Sequence, residues 1–258
     1  MTEIEHSNSE QSPTTTSRTV TPISVAGKVF HKEIEDVFNI FNLVAKSVSG
    51  MDEVIKHLES SGIDTEKTVE QVKDEIQFGP YGEKLRQHSQ LFLQMIICRL
   101  VDNFSNYLAD VIREVIYSKP ELLKSNEQVR VDYVLQFDSM PDLLVDLVDR
   151  KVTDLSYGGF AEMEKWCGNK LGLPIAKDEE QRNALIELIE TRNVFIHNRG
   201  KIGAKYIRNV TNTSFVKGQD RIIYLEYFAD VIRILGACAL TLDEKVAAKF
   251  SISATSEM

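Results

Sequence analysis

Between residues 85 and 115, apolar side chains return every three or four positions for about thirty residues. The series runs Leu85, His88, Phe92, Met95, Ile96, Leu100, Phe104, Leu108, Val111 and Val115, with His88 its one polar member. Such a period belongs to a helix of roughly 45 Å, and Pro120 supplies its stop. Ile97 and Val101 widen the stripe beyond a single face, which predicts a helix covered on more than one side. A chain built around that helix is expected to be all-α, with loops that suit an up-and-down bundle.

The flanking segments fit this reading. Residues 1–22 are rich in Ser, Thr and Glu, carry Pro13 and Pro22, and are expected to form a disordered tail. Val29, Ile34, Val37, Phe38, Phe41 and Val44 predict a helix over 25–49 that ends at Gly50. Shorter helical patterns follow over 51–61 and 64–77, before a clear break at Gly79-Pro80-Tyr81-Gly82. Residues 23–80 therefore read as an N-terminal helical extension. Beyond Pro120, helices are expected over 124–137, 141–152 and 158–171. Another should begin at Asp178-Glu179-Glu180, whose acids favour a helix start. Ile222 to Phe250 reads as the closing helix. Thr213–Val216 and Ile222–Leu225 offer a short hairpin.

Composition removes several classes. Cys98, Cys167 and Cys238 form no C-x-x-C pair and are odd in number, so neither a disulfide framework nor a cysteine zinc site is expected. The apolar runs around Leu91–Cys98 and Ile234–Leu242 fall far short of the ~20 residues needed to cross a bilayer. No basic-then-apolar leader opens the sequence. A reducing, cytoplasmic setting is the expectation. There is no phosphate-binding glycine loop, Gly-x-Ser-x-Gly elbow or His-Glu-x-x-His pair. His31, His57 and His88 lack a second histidine at ligand spacing and read as helix-surface residues; no metal or cofactor is expected.

The formal charge of −9 argues against a polyanionic partner until its distribution is considered. From 192 to 221 stand Arg192, Arg199, Lys201, Lys205, Arg208, Lys217 and Arg221 against Asp220 alone. That segment carries +6 and the remainder −15, a basic island on an acidic body.

Within the island, Glu190-Thr191-Arg192-Asn193-Val194-Phe195-Ile196-His197-Asn198-Arg199-Gly200 resembles the signature of HEPN domains. That signature is an arginine, a polar residue that is often asparagine, and a histidine after four to six intervening residues, late in the domain and before its closing helix. The resemblance covers roughly residues 83–250. It implies a HEPN-like helical bundle acting as a symmetric homodimer, with two motif pairs facing one cleft. The implied activity is metal-independent endoribonuclease cleavage of RNA, with roles as a toxin or anti-phage effector and a regulatory protein as a further partner. Toxin members of the family often carry a tyrosine two residues after the histidine; Arg199 stands there, and Tyr206 is the nearest tyrosine.

The residue types suit the chemistry. His197 exchanges protons near neutral pH, and Arg192 offers permanently charged donors for phosphate oxygens. Asn193 can orient the phosphate or the histidine. Asn198, Arg199, Lys201, Lys205 and Arg208 are the candidates for holding the flanking RNA backbone. Positions five apart on a helix diverge by about 140°, so a helix exit directly after His197 is expected to turn it back towards Arg192. The competing reading is a non-catalytic dimerisation or RNA-binding module, or an accessory subunit, in which Arg192 pairs with Glu187 or Glu190.

Overall fold

The computed structural model describes residues 24–60, 81–124 and 128–252. The described residues form helices joined by short loops, with one isolated antiparallel bridge, Lys201 to Asp220. The α-helices among them are, in chain order, α1 (Val25–Ser60), α2 (Tyr81–Ser118), α3 (Val131–Val134), α4 (Met140–Gly158), α5 (Phe160–Trp166), α6 (Glu179–Asn198), α7 (Ala204–Asn209) and α8 (Leu225–Phe250). None of the described helices is long and apolar enough to cross a membrane.

Helix α2 is the axis of the molecule. It packs against α1, α4, α6 and α8, and Ile97, Leu100, Phe104, Val115 and Ile116 are at most 1% exposed. Ile97 and Val101, which widened the stripe, are buried as expected. The stripe's early members His88 and Met95 face solvent, so coverage is complete only from Ile96 onward.

Helix α1 shares this core. Ala26 and Phe30 are buried in it, and the Phe30 ring lies 5.1 Å from Tyr107 and 5.8 Å from Phe104. Phe41 continues the contact between Phe92 and Phe228. The start of α1 is held by acids from two other helices. Asp243 of α8 accepts from the Ser24 amide at 2.8 Å and from its hydroxyl, while Glu114 of α2 accepts from the Ala26 amide at 2.5 Å. Two carboxylates at a helix N-terminus complement its dipole. A side chain at Gly27 would strike the Asp243 carboxylate at 2.6 Å, so that closeness requires glycine.

Several elements depart from the sequence expectations. Gly50 does not end α1, which runs on to Ser60. One helical glycine costs only about 1 kcal/mol against alanine, too little to stop a helix without a proline or left-handed cap. The tail 1–22 and the pattern over 64–77 lie outside the described residues. The helix expected over 124–137 shrinks to α3, preceded by a 3-10 turn at Pro120–Leu123. Ser139 cuts it short by capping α4, accepting from the Asp142 amide at 3.3 Å. Over 158–171, Gly159 at φ 75° sets the start at Phe160, and a π-turn at Cys167–Leu171 follows α5. Lys249 satisfies the Leu171 carbonyl there at 2.6 Å. The hairpin does not form: residues 200–202 pair with 218–221 instead, and the backbone of Ile223 is claimed by the Gln90 side chain. The three cysteines are free and buried.

Candidate active site

Helix α6 begins where its acids predict, with Asp178 accepting from the Gln181 amide at 2.8 Å and Glu179 and Glu180 in the first turn. It stays helical through His197 and ends at Asn198. Arg199 and Gly200 then take left-handed conformations (φ 52° and 81°), and both amides turn back to the Val194 carbonyl. The expected exit comes one residue too late to bend His197 back. Arg192 and His197 therefore stand on one continuous helix, about 140° apart around its axis.

Asn193 has a neighbour on each side of this gap. The Arg192 guanidinium donates through Nη1 to Asn193 Oδ1 at 3.3 Å. Asn193 and His197 are four residues apart, hence neighbours on one face, with Cβ atoms roughly 5–6 Å apart. His197 is exposed and makes no hydrogen bond or ion pair among the described residues. An arginine, an amide and an unpartnered imidazole thus follow one another across the end of α6.

Arg192 is anchored from the opposite side. Its Nε donates to Asp102 Oδ1 of α2 at 2.8 Å, its Nη2 lies 2.8 Å from the same oxygen as an ion pair, and its side chain is 28% exposed. It pairs with neither Glu187 nor Glu190. The guanidinium has five N–H donors; hydrogen bonds to Asp102 and Asn193 take two, and three remain. Cys98, one turn before Asp102, also faces this group. Burial pushes its thiol pKa up, and the Arg192 charge partly opposes that shift.

The loop after α6 is an organised structure. Val194, Ile202, Tyr206 and Val210 form a small core that Phe195 and Phe215 cover. Behind it, Glu187 collects four donors: Thr191 Oγ1 (2.8 Å), Tyr206 Oη (2.9 Å), Tyr227 Oη (2.7 Å) and Arg221 Nη2 (3.0 Å). Arg221 is buried and lies 4.4 Å from the Tyr227 ring and 5.0 Å from Phe215. Burial, with the Glu187 charge adding to it, pushes the Tyr206 phenol pKa up to about 12. A phenol so enclosed is a structural group, closed to modification from solvent.

The basic island changes character accordingly. Arg221 leaves the surface altogether. Lys201 faces Asp220 at 2.8 Å and Lys205 faces Glu190 at 3.7 Å, although both ammonium groups stay exposed. Arg199, Arg208 and Lys217 are exposed and make no ion pair among the described residues. Asn198 is exposed, with its amide beside Gly203. All five backbone-holding candidates therefore reach solvent, three of them on the loop that Glu187 fastens.

Asp102, Glu187 and Tyr227 were not legible as site residues. Asp102 lies off the apolar stripe and gives no signal of a partner ninety residues away; Glu187 reads only as a partner for Arg192, whereas it takes Arg221, and Tyr227 carries no signal. Among the described residues, no group of three or more histidine, cysteine and carboxylate side chains is placed to hold a metal ion. No family model, curated protein or solved structure matches the chain.

Proposed function

We propose that the protein is a HEPN-type endoribonuclease, cleaving RNA without a metal through Arg192, Asn193 and His197, in the manner of a toxin or anti-phage effector. The observation that supports this reading is the Arg192–Asn193 contact, which joins a guanidinium with open donors to the residue one helical turn before an exposed imidazole that has no partner among the described residues. In the reaction, the RNA 2′-oxygen bonds to the adjacent phosphorus and the bond to the 5′-oxygen breaks. The products are a 2′,3′-cyclic phosphate and a 5′-hydroxyl. One His197 removes the 2′-hydroxyl proton, while Arg192 receives the charge building on the phosphate oxygens.

A second proton donor is needed for the leaving 5′-oxygen, and a second copy of the chain supplies it as its own His197. Exposed apolar side chains on the elements around the motif support a two-fold contact there. They are Ile196 of α6, Leu91 and Met95 of α2, and Ile222 and Tyr224 of the loop that Gln90 binds. Exposed apolar side chains of this kind are a feature of subunit interfaces.

The Asp102–Arg192 ion pair favours a second reading, an RNA-binding or dimerisation module in which the arginine serves structure. Incubation of purified protein with total RNA in EDTA separates the two. Fragments ending in 2′,3′-cyclic phosphate are the expected result. Intact RNA, or cleavage that appears only with added magnesium or manganese, rejects the proposal.

A further inference from the structure

At the far end of α2 lies an open cavity of about 810 Å³, in the size range of small-molecule sites. It is walled by the Pro120–Leu123 turn, α3, α4 and the end of α5. From Asp102 to Pro120 the helix advances about 27 Å, so this cavity is separate from the α6 motif.

Its lining is cationic in an acidic protein. Among the described residues, Lys124, Arg130, Arg150, Lys151 and Lys170 face it with Asp132 and Asp154, a balance of +3 where the whole chain carries −9. Two of the cations are already engaged: Arg130 grips Asp132 at 3.0 and 2.7 Å, and Arg150 lies 4.8 Å over the Tyr133 ring. The three lysines differ. Lys170 donates to the Lys124 carbonyl at 3.2 Å and keeps two donors, while the ammonium groups of Lys124 and Lys151 make no ion pair among the described residues. Lysine ammonium groups gathered without paired carboxylates suit a multiply charged phosphate.

Among the remaining described lining residues, Gln128, Tyr133 and Gln136 are polar or amphipathic and Leu122, Leu123, Leu144 and Leu147 are apolar and only partly covered, with Trp166 behind them. The Trp166 indole nitrogen is closed from solvent, so the ring meets the cavity through its carbon face.

We infer that the cavity binds a nucleotide, its phosphates held by Lys124, Lys151 and Lys170 and its base lying against the leucines and Trp166. A nucleobase offers the planar apolar face that such leucines cover, and the diphosphate supplies the charge. The same chemistry could arrive as a free nucleotide or as the phosphorylated end of an RNA strand. This inference is independent of whether the α6 motif cleaves RNA.

Trp166 is the only tryptophan in the chain, so its fluorescence reads the cavity directly. The full-length protein is titrated with ADP, with inorganic pyrophosphate, and with a short 5′-phosphorylated RNA. Saturable change with ADP, at a dissociation constant below about 1 mM, is expected. In the Lys151→Gln, Lys170→Gln double variant the affinity should fall at least about tenfold, as removal of charge-assisted hydrogen bonds requires, with the helical circular dichroism unchanged. Higher salt should weaken binding in the wild type and much less in the variant. Competition by the RNA at similar concentration would assign the strand end as the source, and its absence the free nucleotide; either upholds the inference. No saturable change with ADP, equal affinity in the double variant, or pyrophosphate binding as tightly as ADP would each overturn it.

Discussion

The body and the far end of helix α2 handle charge in opposite ways. Between Gln90 and Asp102 it faces α6 and the following loop, where the buried and half-buried charged groups are paired, although the buried Asn103 amide finds no partner among the described residues. Arg192 is met by Asp102, Arg221 by Glu187, and Lys205 by Glu190. Near its end, Lys124 and Lys151 stand around an open cavity without such partners. An arginine tied to an acid is a group held in position. A lysine without one is a group kept available. The first arrangement fits a site whose geometry must be fixed before substrate arrives; the second fits one completed by its ligand.

The sharpest way to break the first half of this contrast is Glu187→Ala. It strands the buried Arg221 charge and the two phenols, and is expected to cost about 3–5 kcal/mol of stability. Urea or thermal unfolding measures this; a loss below about 1 kcal/mol would mean that the loop is not fastened through Glu187. RNA cleavage should fall with it, since Lys201, Lys205 and Arg208 ride on that loop.

Neutralising Lys201, Lys205 and Arg208 together leaves Glu187 in place and probes the surface alone. RNA binding should weaken, and its salt dependence should flatten by up to about 0.7 log unit for each phosphate of a single strand that is no longer neutralised. Filter binding across a salt series reads both. A triple variant with the wild-type slope would move the RNA path elsewhere.

Asp102→Asn sharpens the meaning of an anchored arginine. The pair is partly exposed, so its removal should change stability by no more than about 1 kcal/mol. Cleavage should nevertheless slow, because the guanidinium then loses its anchor on α2 and is no longer held in one position. Unchanged turnover would show that Asn193 alone suffices to place the guanidinium.

The smallest effect concerns Glu114 at the α1 docking point. Burial raises its carboxyl pKa, with the Ala26 amide partly opposing. A carboxyl raised on folding binds its proton more readily in the folded state, so its charge is a penalty above the folded pKa that acid relieves. Glu114→Gln should therefore be closest to, or above, wild-type stability at neutral pH, and lose that relative gain as pH falls through the carboxylate range. A difference independent of pH would assign the effect to the missing charge-assisted hydrogen bond.

Legibility in the sequence followed the range of the interactions. The central helix could be read because thirty residues repeat one local period, and α6 because Asp178, Glu179 and Glu180 mark its first turn. The arginine, asparagine and histidine are local too, and their face follows from spacing. What joins them to the rest is not local. The Asp102 pairing spans ninety positions, and the Glu187 cluster draws on α6, α7 and α8, so neither leaves a periodic trace. Gly50 and the 158–171 segment escape the local pattern for a smaller reason: one helical glycine costs too little to end α1, and Gly159 at φ 75° moves the later helix start to Phe160.

The most direct test of the proposed activity is the single-turnover rate of His197→Ala beside wild type, in EDTA. His197 is exposed and outside both cores, so the variant should keep the wild-type circular dichroism and assembly state. A loss of about 10²–10⁴-fold is expected if the imidazole moves the proton. A folded variant retaining more than about a tenth of the wild-type rate would contradict the assignment of His197 and, with it, the reading of the α6 face as a catalytic one.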